Sequence, residues 1–278
     1  MVALNDVSQT ALLTLKARVL ESGKAKPVIN DPKGCEIFDN IQSFIPAETY
    51  QRVLDRKFPP TLSIYLALRA RKYDMYTGDF VEKNNGLVVS LGCGFDTRYW
   101  RVPNRPMNYL ELDLPEVISL KKKVLGGEVE YQMLGSSVLD LEWMERIAAI
   151  QTENILFLAE GLFMYLPENE VIRIFQELGK KFSKSQIVFE IVHKKYTRGF
   201  RKKIVESKMK RNSGTEAGSA FIYGLNNARE IESYSDNIKV TDEWSYFEDP
   251  DIRPKLMRVF RHFKSISKIQ YTIKARID

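Results

Sequence analysis

The chain is poor in the residues that staple or metallate a fold. Of its 278 residues two are cysteine and two are histidine. Cys35 and Cys93 lie 58 positions apart, which is neither a disulfide framework nor a metal-ligand spacing, so free thiols in a reducing cytoplasm are expected. The two histidines, His193 and His262, are too few for a zinc site. No apolar run approaches the roughly 18 residues that a membrane-spanning helix requires. Met1 to Thr10 lacks the basic-then-apolar pattern of a secretion signal. Internal repeats, low-complexity tracts and obvious linkers are absent as well. What remains is a cytoplasmic globular chain, long enough for one large α/β domain with additions or for two small domains.

Charge is present in ordinary amount but unevenly placed. Forty-two Lys and Arg against 36 Asp and Glu leave a net charge of +6. The excess concentrates in Lys194 to Arg211, with nine basic residues against the single acid Glu206. A solvated helix face explains such a stretch, and so does attraction to an anionic partner.

Periodicity divides the chain near Asn84-Asn85-Gly86, a turn signal. Before it the pattern is helical. Thr10 to Glu21 is amphipathic, residues 34 to 58 read as short helices broken by Pro46, and Pro59-Pro60 opens a helix from Thr61 to Tyr76. After it come seven short apolar runs: Leu87–Leu91, Tyr109–Leu112, Tyr131–Leu134, Ile155–Ala159, Ile187–Val192, Ile238–Phe247 and Ile266–Arg276. Helical stretches separate them around 115–125, 140–150 and 168–182, with another at Arg253–Phe263 and a basic helical region over 194–235. Strands alternating with helices imply βαβ units and a parallel sheet.

The first of these strands runs into Gly92-Cys93-Gly94. Two glycines let a backbone turn tightly and approach a ligand closely. A dinucleotide fingerprint would place a third glycine three positions on, where this chain has Thr97. Twenty-one residues after Gly92, at the end of the second strand, Asp113 is placed to accept both hydroxyls of an adenosine ribose, with Glu111 as the alternative. A nucleoside site without a phosphate turn points to S-adenosylmethionine. That cofactor carries a carboxylate needing a cation and an ammonium needing an acceptor.

Gly92-Cys-Gly-Phe-Asp-Thr-Arg98, Glu111-Leu-Asp113-Leu-Pro-Glu-Val-Ile and Ala159-Glu160-Gly-Leu-Phe-Met-Tyr165-Leu-Pro-Glu resemble the leucine carboxyl methyltransferase family, in its bacterial polyketide O-methyltransferase-like branch. The resemblance covers residues 10 to 195. It implies an α/β, Rossmann-like class I methyltransferase with a mostly parallel seven-stranded sheet and helices on both faces. It also implies one domain over 1–278: an N-terminal helical lid over 1–80, a cofactor core over 81–193, a helical insertion over 194–235 and the last strands over 236–278. Residue by residue, it implies that Lys16 and Arg69 (or Arg71) hold the cofactor carboxylate and that Gly92, Cys93 and Gly94 lie against its methionine part. Asp113 takes the ribose, Glu160 faces the transfer site and Tyr165 stands near the acceptor. The family's usual acid beside the adenine is replaced here by Ser137, with Asp140 as a substitute within reach.

Methyl transfer asks the protein for orientation, and for a base only if the acceptor is still protonated. His193, at the end of the fifth strand, is the candidate base; His262 is assigned no role. The expected function is methylation of a hydroxyl or carboxyl of a small molecule. A protein C-terminal carboxylate and a modified tRNA are the alternatives, and a non-enzymatic binding module is the reading from another class. Nucleic acid is disfavoured because only Tyr196 and Phe200 interleave the basic stretch.

Overall fold

In a computed structural model the described residues are 6–57, 59–102, 107–127, 129–203, 207 and 221–278. Four helices come first: α1 (Asp6–Ser22), α2 (Pro32–Asn40), α3 (Ala47–Asp55) and α4 (Pro60–Lys83). Pro60 starts α4 at a position whose N–H has no intrahelical partner anyway. The helix continues seven residues beyond the expected Tyr76. Gly78 costs it about 1 kcal/mol in propensity, but Tyr76, Thr77 and Phe80 are all buried and hold it in place. α1 packs on both α2 and α4.

The rest is the expected alternation: β1 (Leu87–Leu91), α5 (Arg98–Arg101), β2 (Asn108–Asp113), α6 (Pro115–Val124), β3 (Gln132–Gly135), α7 (Glu142–Ala148), β4 (Ile155–Ala159), α8 (Glu168–Lys181), β5 (Ser185–Val192), β6 (Ile238–Trp244) and β7 (Gln270–Ile277). They form one seven-stranded sheet in the order β3-β2-β1-β4-β5-β7-β6. β1 to β5 pair in parallel, and β7 runs antiparallel between β5 and β6.

Strand alternation explains why the core has two halves. On β1, Leu87, Val89 and Leu91 pack with α7 and α8 on one face, while Val88 packs with the N-terminal helices and α6 on the other. On β4, Phe157 and Ala159 join the first half, Leu156 and Leu158 the second. Strands covered on both faces read as uninterrupted apolar runs, as these do. α8 closes the first face with Val171, Ile174, Phe175 and Leu178, spaced for one helical stripe.

The C-terminal expectations need adjustment. β6 stops at Trp244 because a 3-10 turn, Tyr246–Glu248, follows at once, and Glu248 accepts the Ser245 N–H. The expected helix over Arg253–Phe263 is a 3-10 helix, Lys255–His262. A helical turn at Lys264–Ser267 replaces the start of the last strand. Of the expected helical region over 194–235, the described parts are mostly short: 3-10 turns at Lys194–Tyr196 and Ala228–Ser233, and helical residues at 199–203. Residues 204–206 and 208–220, with the end of the basic stretch, lie outside the described residues. No described helix is long and apolar enough to cross a membrane.

Candidate active site

Strand order reverses between β1 and β4, since the chain fills one side of β1 with β2 and β3 before returning to add β4 on the other. Loops leaving the carboxyl ends of β1 and β4 therefore diverge, and a crevice opens between them. A cavity of about 560 Å³ lies there, within the usual range for small-molecule sites.

The β1 loop supplies the floor. Gly92 and Gly94 have φ of +63° and +50°, in the left-handed region that favours glycine. A Cβ at Gly92 would stand 2.9 Å from Leu162 Cδ1, and one at Gly94 would stand 2.8 Å from Ala11 Cβ. The turn is thus pressed between the β4 loop and α1. Asp113, the last residue of β2, accepts the Gly94 N–H at 2.6 Å on one oxygen and the Leu114 N–H at 2.7 Å on the other. Each carboxylate oxygen keeps a further lone pair, and Asp113 lines the cavity. Burial raises its pKa, and the two N–H bonds pull the other way.

Glu111 does not line the cavity. It is 1% exposed, accepts Lys121 Nζ at 2.7 Å and the Tyr131 hydroxyl at 3.3 Å, and burial pushes it up to about 7. Ser136 and Ser137 form the cavity wall beyond β3, with Ser137 Oγ accepting the Leu139 N–H at 3.2 Å. Asp140 instead accepts the Glu142 N–H at 3.4 Å and stays out of the wall.

The opposite wall is ionic. Glu160, just past β4, accepts Arg69 Nε at 2.9 Å and Arg98 Nη2 at 2.7 Å. Arg69 also binds Glu190 at 2.6 Å, and the Tyr65 hydroxyl donates to the other oxygen of Glu190. Arg98, 1% exposed, binds Asp96 at 2.6 Å and Asp74 at 2.9 Å. Arg101 joins Asp74 to Asp31, and Arg18 binds Asp31 at 2.8 Å and the Phe95 carbonyl at 2.6 Å. Burial alone would raise the carboxylates of Asp31, Asp96, Glu160 and Glu190. The surrounding guanidiniums reverse this for Asp31, Asp96 and Glu160, which are held below their usual range.

Several expected site residues meet in this cavity: Arg69, Gly92, Cys93, Gly94, Asp113, Ser137, Glu160 and Tyr165 all line it. Tyr165 stands on a turn after β4 with its ring 5.6 Å from Phe221, and burial pushes its hydroxyl up to about 12. Burial also raises the Cys93 thiol well above its ordinary value.

Three expected site residues stand outside the cavity wall. Lys16 does not reach the cavity: its ammonium donates to the Val53, Leu54 and Arg56 carbonyls at 2.7–2.8 Å, closing the C-terminal end of α3. Arg18, two residues on, takes its place in the wall. Arg71 faces away, paired with Asp249 and Asp251. His193 lies outside the wall, its Nδ1 accepting the Lys195 N–H at 3.3 Å, with burial lowering its pKa.

The sequence reading passed over Arg18, Tyr65, Arg98, Glu190 and Gln270. Two left a signal. Glu190 is an acid inside the apolar strand Val-Phe-Glu-Ile-Val, which calls for a buried partner. Arg98 closes the Asp96-Thr97-Arg98 end of the glycine motif. Tyr65 and Gln270 carried none.

A family model described as leucine carboxyl methyltransferase matches residues 11–179. Over 276 residues the chain is 27% identical to the tetracenomycin polyketide synthesis O-methyltransferase TcmP of Streptomyces glaucescens, covering 97% of this chain and 95% of that one. It is 25% identical over 259 residues to the S-adenosyl-L-methionine-dependent methyltransferase dpfgK of Gibberella zeae, covering 89% and 85%. A putative S-adenosyl-L-methionine-dependent methyltransferase of Mycobacterium sp. (strain KMS) is 30% identical over 179 residues, 58% of this chain.

Proposed function

The chain belongs to the leucine carboxyl methyltransferase family, and from that premise we propose how its crevice holds S-adenosylmethionine and methylates an oxygen of a small molecule. The observation that carries this reading is the meeting, at one strand-order reversal, of a two-glycine turn, a strand-end carboxylate and a walled arginine–glutamate pair.

The residues fit the cofactor. Floor glycines whose missing Cβ atoms would strike Leu162 and Ala11 let the turn sit between the β4 loop and α1 with its backbone on the cavity. The remaining lone pairs of Asp113 suit the two ribose hydroxyls. Ser136 and Ser137 offer hydroxyls to the adenine edge. At the other end Arg69 and Arg18 are the cations for the carboxylate, with Arg18 in the role expected of Lys16, and Glu160 is the acceptor for the ammonium. When bound, the cofactor supplies an activated methyl group on a sulfonium. The protein supplies alignment and a wall that excludes water. Holding acceptor and methyl in line contributes several kcal/mol of barrier lowering, of about 7–11 available from orientation.

Leu13, Leu62, Leu66, Leu166 and Phe221 complete the wall on the acceptor side. An apolar chamber roofed by α1 and α4 suits a compact hydrophobic acceptor better than a protein tail or a tRNA. Titration calorimetry tests the cofactor reading. S-adenosylhomocysteine should bind at micromolar Kd or tighter, about −8 kcal/mol at 1 μM, and NAD should give no heat. Absence of heat and of any thermal shift with saturating S-adenosylhomocysteine would sink it.

A further inference from the structure

We propose that the 3-10 helix Lys255–His262 and the turn after it form a docking ridge for an anionic lipid surface, set beside a mouth of the cavity. The ridge stands on its own observations. Only its use, delivery of an apolar acceptor from the bilayer, rests on the methyltransferase reading above.

A 3-10 helix has three residues per turn, so side chains at i and i+3 stand in line. Lys255-Leu-Met-Arg-Val-Phe-Arg-His262 falls into three such lines. Met257 and Phe260 form the inner one and pack on the cluster of Trp244, Phe247 and Ile252, with the Phe247 and Phe260 rings 5.6 Å apart. Leu256 and Val259 form the second, and both are exposed, Leu256 by 82%. Lys255, Arg258 and Arg261 form the third. Phe263 and Lys264, both exposed, carry the apolar and basic character past the helix end. A lone exposed leucine needs no explanation. Three exposed apolar side chains within eight residues, bordered by cations, mark a contact surface.

Charge narrows the partner. From Ile252 to Ile277 the chain carries eight Lys and Arg and no Asp or Glu. Arg253 and Lys268, on either side of the ridge, pair with Glu21 and Glu243. Among the described residues Lys255, Arg258, Arg261 and Lys264 have no such carboxylate. A row of uncompensated cations attracts an anionic partner.

The two outer lines together select the class. A nucleic acid would use the cations but leave Leu256 and Val259 in water. A second copy of the chain would set cations against cations. An anionic bilayer takes both lines. Its headgroup phosphates meet the cations, and side chains that project from a helix enter the interface without a matching pocket.

The ridge also has a place relative to the site. The helical turn Lys264–Ser267 leads from it to Ile269, which lines the cavity with Gln270 and is 37% exposed. Ile269 therefore stands at a mouth. Docking by the ridge holds that mouth beside the bilayer, where an apolar acceptor dissolved in lipid enters without crossing open water.

The test mixes the full chain with phosphatidylcholine vesicles, with and without phosphatidylglycerol, and separates bound protein by flotation. The protein should float with the anionic vesicles and stay behind with the neutral ones. Leu256→Ser with Val259→Ser should weaken flotation at least about ten-fold, and Lys255→Gln with Arg261→Gln by a similar factor. None of the four residues lines the cavity and all are exposed, so circular dichroism and S-adenosylhomocysteine titration should match the parent. Undiminished flotation of the Leu256→Ser, Val259→Ser variant would reveal a purely electrostatic attraction and overturn the proposal. So would sedimentation showing the parent as a dimer that this variant dissolves, since a second copy would then cover the stripe. No flotation of a protein that binds S-adenosylhomocysteine overturns the ridge alone. Flotation without S-adenosylhomocysteine binding upholds the ridge and removes only its delivery role.

Discussion

The two walls of the crevice are built by different means. The wall of Gly92, Gly94, Asp113 and Ser137 is loops at strand ends, with backbone N–H groups as the main partners of its one carboxylate. The wall of Arg18, Arg69 and Arg98 is long side chains from helices, each paired with a carboxylate: Asp31 for Arg18, and Glu160, just past β4, for Arg69 and Arg98. In the first wall a side chain can be removed with little effect beyond the ligand. In the second, each removal leaves another buried charge unpaired, so binding and stability are linked.

Breaking the ionic wall should have the largest effect. Arg98→Ala leaves Asp74, Asp96 and Glu160 each short of a partner and should lower stability by about 3–5 kcal/mol, read by urea denaturation. A loss under about 1 kcal/mol would show that the network behaves as exposed surface pairs do. Asp113→Ala, across the crevice, should weaken S-adenosylhomocysteine by about 1.5–3 kcal/mol with a smaller stability loss than Arg98→Ala. A larger affinity loss in Glu111→Ala would reverse the strand-end assignment. Lys16→Met sharpens the boundary of the ionic wall. It should cost about 1.5 kcal/mol of stability, since three carbonyls lose a charged donor, yet leave cofactor affinity within about two-fold. Weaker binding at full stability would return Lys16 to the site.

A further effect concerns pH. Burial pushes Glu111 up to about 7 against an ordinary value of 4.5. The folded state therefore binds this proton more tightly. Its contribution is present below about pH 4.5 and is lost as pH rises through about 7. Glu111→Gln should flatten that part of the stability profile and leave cofactor binding unchanged. An unaltered slope would assign the titration elsewhere.

The same contrast governs what could be read from the sequence. β1 to β5, the glycine turn and Asp113 were legible because strand periodicity and strand-end position fix where a residue stands. The sheet order puts Gly92, Asp113 and Glu160 at one edge whatever the helices do. Lys16 and Arg18 were not separable, because on α1 both apolar and charged residues are buried: Leu12, Leu15, Lys16, Ala17 and Arg18 alike. The amphipathic pattern of Thr10 to Glu21 therefore does not say which of the two cations meets the cavity. His193 was misplaced because the strand end alone was known. The bridge to Leu225 and the bond to Lys195, which turn it from the cavity, come from segments with no periodicity. Tyr65 could be placed on a helix, but nothing in the sequence tied it to Glu190, 125 residues away.

The claim that the two walls grip opposite ends of one cofactor has a direct measurement. Adenosine and S-adenosylhomocysteine would be titrated into the parent protein, Asp113→Ala and Arg69→Met, with circular dichroism confirming that each variant is folded. Asp113→Ala should weaken both ligands by similar factors, because both carry the ribose. Arg69→Met should weaken S-adenosylhomocysteine at least about ten-fold, near 1.4 kcal/mol, and leave adenosine as in the parent. Equal losses for the two ligands in Arg69→Met would contradict the account and make the ionic wall a support of the fold alone.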